Sequence, residues 1–371
     1  MRRRLRVGVI GCGMIAQIMH LHHLEELSDR FALEAVCDLD RRLAEACANR
    51  YRVPKVFTDW NDLVAESLDV VMVLTSGSHA PAAIAACRAG SHVFVEKPMC
   101  LTVAEGREMV AAAAKASVQL MVGTMKRYDP AYERLLELLP DSGEVRLVRV
   151  TTLEAPYEPY IAAYPMLRGD GPPKEVIERL RAGEAKILAK LLPEADENTR
   201  YCYRWMLLDN LVHELNMLRG ALGEPDRINF ASLDRKVVEL SLTFGSTECH
   251  LSWVDLPGMA RYSQELVFFG LEKRLTLALP SPYLRGMPTE LRVEAGAPGS
   301  PHSFETVEIV SYEEAFKREL LEFHEAILSG RSPRTDGRDG LRDVALCQAI
   351  AEAHMRGAPT LLRSPISPAA S

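Results

Sequence analysis

The stretch VGVIGCGMIAQ, residues 7–17, joins an apolar run to a turn that contains glycine. Gly11, Gly13 and Ala16 form the pattern G-x-G-x-x-A between a predicted strand and a predicted helix. The first glycine permits a tight turn, the second leaves room for a pyrophosphate, and the small third residue lets helix and strand pack closely. The helix N-terminus then offers free N–H groups to phosphates. This context predicts a dinucleotide site, and the alternative is an ordinary strand–helix junction.

Residues 5–124 alternate short apolar runs with helical patterns, as where DVVMVLT is followed by HAPAAIAACRAG. Continuous apolar runs are typical of parallel strands that are covered on both faces. We therefore predict an α/β fold whose first domain, residues 1–124, is a doubly wound parallel sheet of the Rossmann type.

After Thr124 the runs alternate apolar and polar residues, as in VVELSLTFG and ECHLSWVDL. This period of two predicts a large, mostly antiparallel open sheet with one covered face. Helical patterns interrupt or follow it near residues 130–138, 173–192, 205–222 and 312–356. We predict a second α/β domain over residues 125–371, with a loose tail from about residue 364.

The bulk properties exclude several classes of protein. The chain has 371 residues and a formal net charge of -7, which argues against a nucleic-acid binder. No apolar run reaches the ~18 residues that a membrane span needs. The N-terminus resembles a signal peptide in its basic head, but its apolar run is short and broken by glycines. Eight cysteines without a C-x-x-C pair indicate a reduced, cytoplasmic protein.

The second predicted strand ends in AVCDLD, where Asp38 follows the glycines by somewhat over 20 residues. An acid at this place binds the ribose hydroxyls of the adenosine and repels a 2′-phosphate, so it favours NAD. Arg41 and Arg42 follow closely and leave NADP open. The alternative role for Asp38 is a helix N-cap.

A later strand, in HVFVEKPMC, ends at Glu96, Lys97 and Pro98. Ligands of such sheets bind at the carboxyl ends of the strands, which makes Lys97 and Glu96 candidate site residues. The alternative is an ion pair at the end of a strand. Pro98 is a candidate for a cis peptide bond, because cis bonds are chiefly an X–Pro property.

The stretch RWMLLDNLVHELNMLRGALG, residues 204–223, reads as one helix. At ~100° per residue, Asp209, His213, Asn216 and Gly220 fall within roughly 60° of arc. The adjoining face is predicted to be core, and Asn210 and Glu214 are predicted to face solvent. The core face comprises Leu208, Leu211, Val212, Leu215 and Leu218. The polar stripe predicts a site, and the alternative is a structural histidine.

The cluster HLHH, residues 20–23, resembles a metal-binding pattern. It has no cysteine or acidic partner at metal spacing, so we expect no metal.

The order G-x-G-x-x-A, then E-K-P, then D-x-x-x-H resembles the Gfo/Idh/MocA family of oxidoreductases, which includes glucose–fructose oxidoreductase and inositol dehydrogenase. The segments VGTMKRYDPAY and FHEAILSGRSPRTDGRDGLRDVALCQAIAEA are also similar to that family. The resemblance implies a Rossmann domain, then an α/β domain for substrate binding and oligomerisation. It implies hydride transfer between NAD(P) and a secondary hydroxyl or keto group of a sugar, sugar derivative or cyclitol. It also implies a homodimer or homotetramer built on the open sheet.

The resemblance assigns roles to individual residues. Lys97 is implied to contact nicotinamide and substrate, His213 to be the acid/base group, and Asp209 its companion. The implied cofactor contacts are Gly11, Gly13, Met14, Ile15, Ala16, Asp38, Thr75, Ser76, His79, Glu96 and Lys97. The implied substrate contacts are Lys97, Arg127, Tyr203, Asp209 and His213.

The chain departs from the family pattern in three places. Ser76 and Gly77 stand where the family often has Pro-Asn, and Asn216 where it often has Asp. Residues 157–200 are longer and more helical than the family minimum, which predicts a substrate lid or an oligomer contact.

Two other functions remain open beside net oxidation or reduction. Some relatives cleave glycosides through transient oxidation, and the same fold also serves as a dinucleotide-binding sensor without catalysis. The complete set of Lys97, Asp209 and His213 argues against the sensor.

Overall fold

The computed structural model describes residues 3–297 and 299–362, so the predicted tail from about residue 364 lies outside the described residues. The first half of the fold is a six-stranded parallel sheet with helical crossovers. Its elements are β1 (Leu5–Ile10), a π-helical turn (Ala16–His20), α1 (Leu21–Glu26), β2 (Phe31–Cys37), α2 (Arg41–Tyr51), β3 (Lys55–Phe57), α3 (Trp60–Val64), β4 (Val70–Val73), α4 (Ala80–Arg88), β5 (His92–Glu96), α5 (Val103–Ala116) and β6 (Leu120–Gly123).

The strand order of this sheet is β3-β2-β1-β4-β5-β6, as in a doubly wound fold. All four residues of β4 are buried, which confirms that its unbroken apolar run is a central parallel strand. The order reverses between β1 and β4, and ligands bind at such a switch point, beyond the carboxyl ends of the strands. Gly11, Asp38, Thr75 and Lys97 all follow strand ends on this edge.

The second half of the fold is a nine-stranded sheet with helices against one face. Its elements are a 3₁₀ turn (Met125–Tyr128), α6 (Pro130–Leu138), a second 3₁₀ turn (Leu139–Ser142), β7 (Val145–Glu154), α7 (Glu158–Ile161), α8 (Lys174–Leu191), α9 (Glu197–Tyr201), a π-helix (Cys202–Leu211), α10 (Val212–Leu222), β8 (Arg227–Leu233), β9 (Val237–Phe244), β10 (Thr247–Asp255), β11 (Ser263–Gly270), β12 (Lys273–Leu279), β13 (Glu290–Gly296), β14 (Ser303–Ile309), α11 (Ala315–Ser329), α12 (Gly337–Arg356) and β15 (Thr360–Leu361).

The strands of this sheet run in the order β14-β13-β12-β11-β7-β10-β9-β8-β15, and within the described residues only the neighbours β7 and β10 are parallel. Burial alternates along β9, where Val238, Leu240 and Leu242 are buried and their neighbours are not. The period of two therefore predicted the covered face correctly. The five apolar positions of residues 208–218 are buried, as predicted, and four of them, Leu208, Leu211, Leu215 and Leu218, pack in the core that covers this face.

The last two helices return to the first sheet. The carbonyl oxygen of Thr335 accepts a hydrogen bond from the N–H of Val122 in β6 at 2.8 Å. A Cβ on Gly340 of α12 would lie 2.6 Å from Val122 Cγ2, so only glycine allows this close approach. The chain crosses between the two sheets more than once, and the domain division at residue 124 stays a prediction.

Among the described residues, no helix combines the length and apolarity that a membrane crossing requires.

Candidate active site

The glycine turn has the shape that a dinucleotide needs. Gly11 has φ of 99°, and a Cβ there would lie 2.9 Å from the carbonyl carbon of Leu74. Only glycine therefore fits between β1 and β4 at this point. The space around Gly13 is open, since a Cβ on that residue would meet no atom within 4 Å, whereas Ala16 is fully buried. This open cradle fits a pyrophosphate and would hold the phosphates of the dinucleotide.

Met14 and Ile15, which follow Gly13, are half-buried. They pack on an apolar cluster of Ile18, Met19, Met125 and Phe316. Their side chains therefore bind protein, and their backbone forms the turn beside the open cradle.

Asp38 faces the glycine turn across the sheet edge. Its Oδ2 accepts a hydrogen bond from the Cys12 N–H at 2.8 Å, and its Oδ1 accepts one from the Asp40 N–H at 2.9 Å. The alternative that Asp38 caps the next helix is wrong, because Asp40 caps α2 by accepting from the Leu43 N–H. An acid beside the turn that does not cap a helix is where ribose hydroxyls would bind.

The loop after β4 is held by a buried histidine. The ring of His79 bridges the carbonyl oxygens of Pro98, at 2.8 Å from Nδ1, and Thr75, at 2.6 Å from Nε2. Thr75 and Ser76 are exposed at the strand edge, whereas His79 is 1% exposed. His79 therefore positions the loop, while Thr75 and Ser76 are the members of this predicted set that a cofactor would touch.

Lys97 joins the two halves of the fold. Its Nζ donates to the backbone carbonyl oxygen of Asp209 at 2.7 Å and lies 3.5 Å from Asp209 Oδ1. The preceding residue, Glu96, accepts the Lys97 N–H at 3.0 Å and lies 2.6 Å from His20 Nε2. The Lys97–Pro98 bond is cis, as predicted. Lys97 remains about one-fifth exposed, so its charged group stays partly accessible.

His213 lies on the helix that carries Asp209, and its Nδ1 is buried without a hydrogen-bond partner among the described residues. Burial and the positive charges of Lys126 and Lys97 hold the pKa of His213 well below its usual value. The imidazole is therefore neutral at neutral pH, which is the form that accepts a proton.

The polar stripe predicted on this helix divides in two. Residues 202–211 form a π-helix and residues 212–222 an α-helix, so the assumed 100° per residue fails within the stripe. The prediction that Glu214 faces solvent is wrong. Glu214 is 2% exposed, and its Oε1 accepts hydrogen bonds from Thr152 Oγ1 at 2.7 Å and Gln264 Nε2 at 2.5 Å.

Asn216 lies in a buried network away from Lys97. Its amide donates to Asp339 at 2.8 Å and to Asp343 at 2.7 Å, and Arg219 pairs with both carboxylates. Burial raises the pKa of Asp343 to about 7. The network ties α10 to α12, so Asn216 serves the fold around the site.

Two of the implied substrate contacts bind the protein itself. Arg127 is buried and donates to the backbone carbonyl and side-chain oxygens of Asn216 at 3.1 and 3.2 Å. Tyr203 is fully buried, and its hydroxyl donates to the Leu101 carbonyl oxygen at 2.7 Å. These contacts give both side chains a structural role, and their predicted contact with substrate stays a prediction.

Lys126, the residue before Arg127, is a candidate site residue that the sequence analysis missed. Lys126 is buried, and its Nζ lies 2.5 Å from Gln264 Oε1 and 3.3 Å from the Tyr262 hydroxyl. Its positive charge adds to burial in lowering the pKa of His213, and Gln264 links it to Glu214, the residue that follows His213. One feature of the sequence could have indicated this buried polar contact. Gln264 is a polar residue at an inward position of β11, where the other inward residues are Leu266 and Phe268.

The histidines of residues 20–23 do have an acidic partner, contrary to the sequence analysis. Glu26 lies 3.4 Å from His22 and 3.1 Å from His23. Lys317 Nζ also lies 3.2 Å from Glu26, so this carboxylate is already paired with a cation. His20 instead lies in a buried group with Glu96 and Glu319.

Comparison with known proteins agrees with this geometry. Residues 5–124 match the model of an oxidoreductase family with an NAD-binding Rossmann fold. The myo-inositol 2-dehydrogenase of Thermotoga maritima is 26% identical over 356 residues, which is 91% of this chain and 92% of that protein. The inositol 2-dehydrogenase of Salmonella typhimurium is 33% identical over 145 residues, 38% of this chain and 43% of that protein.

Among solved structures, a levoglucosan dehydrogenase in complex with NADH superimposes with a TM-score of 0.76 at 18% identity. The match covers 98% of this chain and 100% of that one. It shows that the whole chain, including the second sheet, has the same fold. Residues 5–124 form the NAD-binding Rossmann domain of the Gfo/Idh/MocA family of oxidoreductases, and over 91% of its length the chain is similar to the myo-inositol 2-dehydrogenase of Thermotoga maritima.

Proposed function

We propose that the chain is an NAD-dependent dehydrogenase or reductase that acts on a secondary hydroxyl or keto group of a sugar, sugar derivative or cyclitol. The contact between Lys97 and Asp209 carries the proposal, because it places an ammonium group from the cofactor sheet against the helix of His213. The inositol dehydrogenases among the relatives support the substrate class.

His213 is the proton acceptor in the direction of oxidation. Its neutral imidazole takes the proton of the substrate hydroxyl, and in the direction of reduction the imidazolium returns it. The low pKa caused by burial, Lys126 and Lys97 keeps the acceptor free of a proton at neutral pH.

Lys97 places its positive charge beside the developing alkoxide, which a preorganised cation stabilises more in the transition state than in the bound substrate. Asp209 accepts a hydrogen bond from a neighbouring hydroxyl and so orients the ring. When bound, the nicotinamide supplies the hydride chemistry, and the protein supplies position and field.

The cleft wall suits a ligand with several hydroxyl groups. Lys126, Tyr262 and Gln264 form a connected polar set, and Gln264 joins this set to Glu214, the residue that follows His213. Glu154 adds a largely buried carboxyl whose pKa is raised by burial. Convergent donors and acceptors of this kind fix the orientation of a polar ring.

The test is a panel of cyclitols, aldoses and anhydrosugars, incubated with the protein and NAD, with NADH formation as the readout. Substrate-dependent NADH formation that is lost in His213→Ala supports the proposal. Glycoside cleavage without net NADH would instead fit the alternative of transient oxidation. NADH binding without turnover on any member of the panel would favour the sensor.

We also propose that the chain forms a homodimer or homotetramer through the outer face of the nine-stranded sheet. On the outer face of β11, Val267 and Phe269 are half-buried and Glu265 is exposed. The two strands that flank β11 carry arginines, Arg149 on β7 and Arg274 on β12. A mixed face of this kind suits a self-complementary contact, in which each copy offers both charges. Analytical ultracentrifugation at micromolar concentration is the test, and a monomer alone would contradict it.

A further inference from the structure

Residues 164–171, which we call the strap, connect β7 and α7 with α8 and contact the glycine turn. Gln17 Oε1 accepts the Leu167 N–H at 2.8 Å, and Gln17 Nε2 donates to the Leu167 carbonyl oxygen at 3.2 Å. The same Nε2 donates to the carbonyl oxygen of Cys12, inside the G-x-G pattern, at 2.9 Å. One side chain therefore ties the strap to the turn that would hold the phosphates.

The other end of the strap is tied to the acid that follows β2. Asp40 Oδ2 accepts the Gly171 N–H at 2.5 Å, and Asp170 pairs with Arg42 at 3.0 Å. A Cβ on Gly169 would collide with the Asp40 carboxylate, which could make room only by leaving its hydrogen bonds to Leu43 and Gly171. Asp40 lies two residues after Asp38, and the strap therefore runs from the phosphate turn to the ribose acid.

Apolar contacts and a hydrogen bond hold the strap from the side of the second sheet. Tyr164 and Met166 join Met14 and Ile15 on one apolar cluster. The Tyr164 hydroxyl also accepts the Arg285 N–H at 2.9 Å, from the segment after β12. The strap is thus anchored on both sides of the cleft.

We propose that the strap is part of the cofactor site, and that the dinucleotide enters and leaves only when the strap detaches. The proposal rests on the proposed function, because it takes Gly11–Ala16 and Asp38 as the cofactor site. It concerns residues 164–171 within the segment 157–200, for which a substrate lid or an oligomer contact was predicted. The strap makes hydrogen bonds to Gln17, Asp40 and Arg42, which surround the cofactor positions, and to Arg285, and none of its described hydrogen bonds is to Lys97 or His213.

A closed strap slows both binding and release, because the same bonds must break in each direction. Release of product cofactor then limits turnover, as lid opening does in many enzymes. Two good substrates would therefore share one maximal rate.

The experiment measures NADH association and dissociation by stopped-flow fluorescence, with excess NAD as the displacing ligand. Gly169→Ala adds the methyl group that collides with Asp40, and Leu167→Pro removes the N–H that Gln17 accepts. We expect each variant to raise the NADH dissociation rate about tenfold or more, which corresponds to losing about one or two hydrogen bonds of the closed state. The association rate rises as well.

Gly183→Ala in α8 is the matched control, because its Cβ would meet no atom within 4 Å, and its rates should equal those of the wild type. Thermal unfolding of each variant reports on folding. If both strap variants fold and their dissociation rates stay within twofold of the wild type, the proposed role of the strap in cofactor release is wrong. Failure of the wild-type protein to bind NADH at all would instead overturn the proposed function, and the strap with it.

Discussion

The ammonium group of Lys97 lies 2.7 Å from the backbone carbonyl oxygen of Asp209, a residue 112 positions later in the chain. A backbone oxygen is a fixed acceptor, so it sets the place of the charge without neutralising it. The side-chain oxygen of Asp209 is more distant, at 3.5 Å. The cation can therefore serve an alkoxide while it stays anchored to the helix of His213.

Lys97→Ala should lower kcat by about 100-fold or more, the loss that follows removal of one preorganised electrostatic contact. The affinity for NADH should change much less, since the phosphates rest on the glycine turn. Steady-state kinetics with NADH titration alongside measures both. Lys115→Ala, at an exposed position of α5, is the control and should leave kcat unchanged. Near-normal turnover of Lys97→Ala would contradict the site.

His213→Ala should lower kcat by about 10²–10⁴-fold, as expected for loss of a general base. The wild-type rate of oxidation should fall on the acidic side, where the imidazole becomes protonated. Because burial and two lysines lower the pKa of His213, this fall lies below the usual histidine range. The pH profile of kcat/KM for both proteins is the measurement. An unchanged acidic limb in His213→Ala would assign it to another group.

Lys126→Met should move the acidic limb of the wild-type profile toward neutral pH. The lysine charge disfavours the imidazolium, so its removal raises the pKa of His213. The exposed Lys115→Met on α5 is the matched control and should leave the profile in place. A shift toward more acidic pH in Lys126→Met would contradict the geometry.

NAD should bind more tightly than NADP, because the Asp38 carboxylate would repel a 2′-phosphate. Arg41 and Arg42 could favour NADP by binding its 2′-phosphate, but each is paired with a carboxylate. Arg41 lies 3.2 Å from Glu45, and Arg42 lies 3.0 Å from Asp170. Asp38→Ser should narrow the difference in affinity, measured by fluorescence titration of both cofactors. The exposed Asp141→Ser should not change it. Tighter binding of NADP by the wild type would refute this preference.

Glu319→Gln should stabilise the protein more at alkaline pH than at acidic pH. Glu319 is fully buried near Glu96 and His20, and burial holds its pKa well above the usual value. The folded chain therefore binds a proton that the unfolded chain releases, and the wild-type free energy of unfolding falls as pH rises above the unfolded pKa. Gln keeps the shape without the titration. Chemical denaturation at several pH values measures the difference.

Glu322→Gln on the same helix is the control with the opposite sign. Its hydrogen bonds with Arg331 lower the pKa of Glu322, so its stabilising effect is present above the unfolded pKa and is lost in acid. This variant should be less stable than the wild type at neutral pH and equal to it in acid. Equal pH dependence in the two variants would contradict the assignment for Glu319.

The sequence predicted the parts of the fold that periodicity controls. The unbroken apolar run of β4 predicts a strand buried on both faces, and the alternation of apolar and polar residues in β9 predicts a strand buried on one face, because buried positions must be apolar. The positions of Gly11 and Lys97 followed from the same logic, since both come directly after such strands.

Long-range contacts were beyond the sequence. A helical wheel placed Glu214 in solvent because it assumed that α10 has an exposed face, whereas the structure buries this helix on nearly every side. Lys126 and Arg127 are adjacent cations, and only the tertiary packing decides that Lys126 lowers the pKa of His213 while Arg127 binds Asn216. The strap contacts Gln17 across 150 positions, which no local pattern records.

Because residues 202–211 form a π-helix, the geometry of the site depends on the number of residues in this helix as well as on their identity. Loss of one residue at position 210 or 211, between Asp209 and His213, would tighten a wide turn into an ordinary α-helical turn. Every residue before the deletion would rotate by about 100° relative to His213, while the leucines after it kept their place in the core. The Asp209 carbonyl would leave Lys97 in a single step. Relatives whose helix is one residue longer or shorter should therefore either have the contact between the lysine and this carbonyl or lack it, with no intermediate geometry.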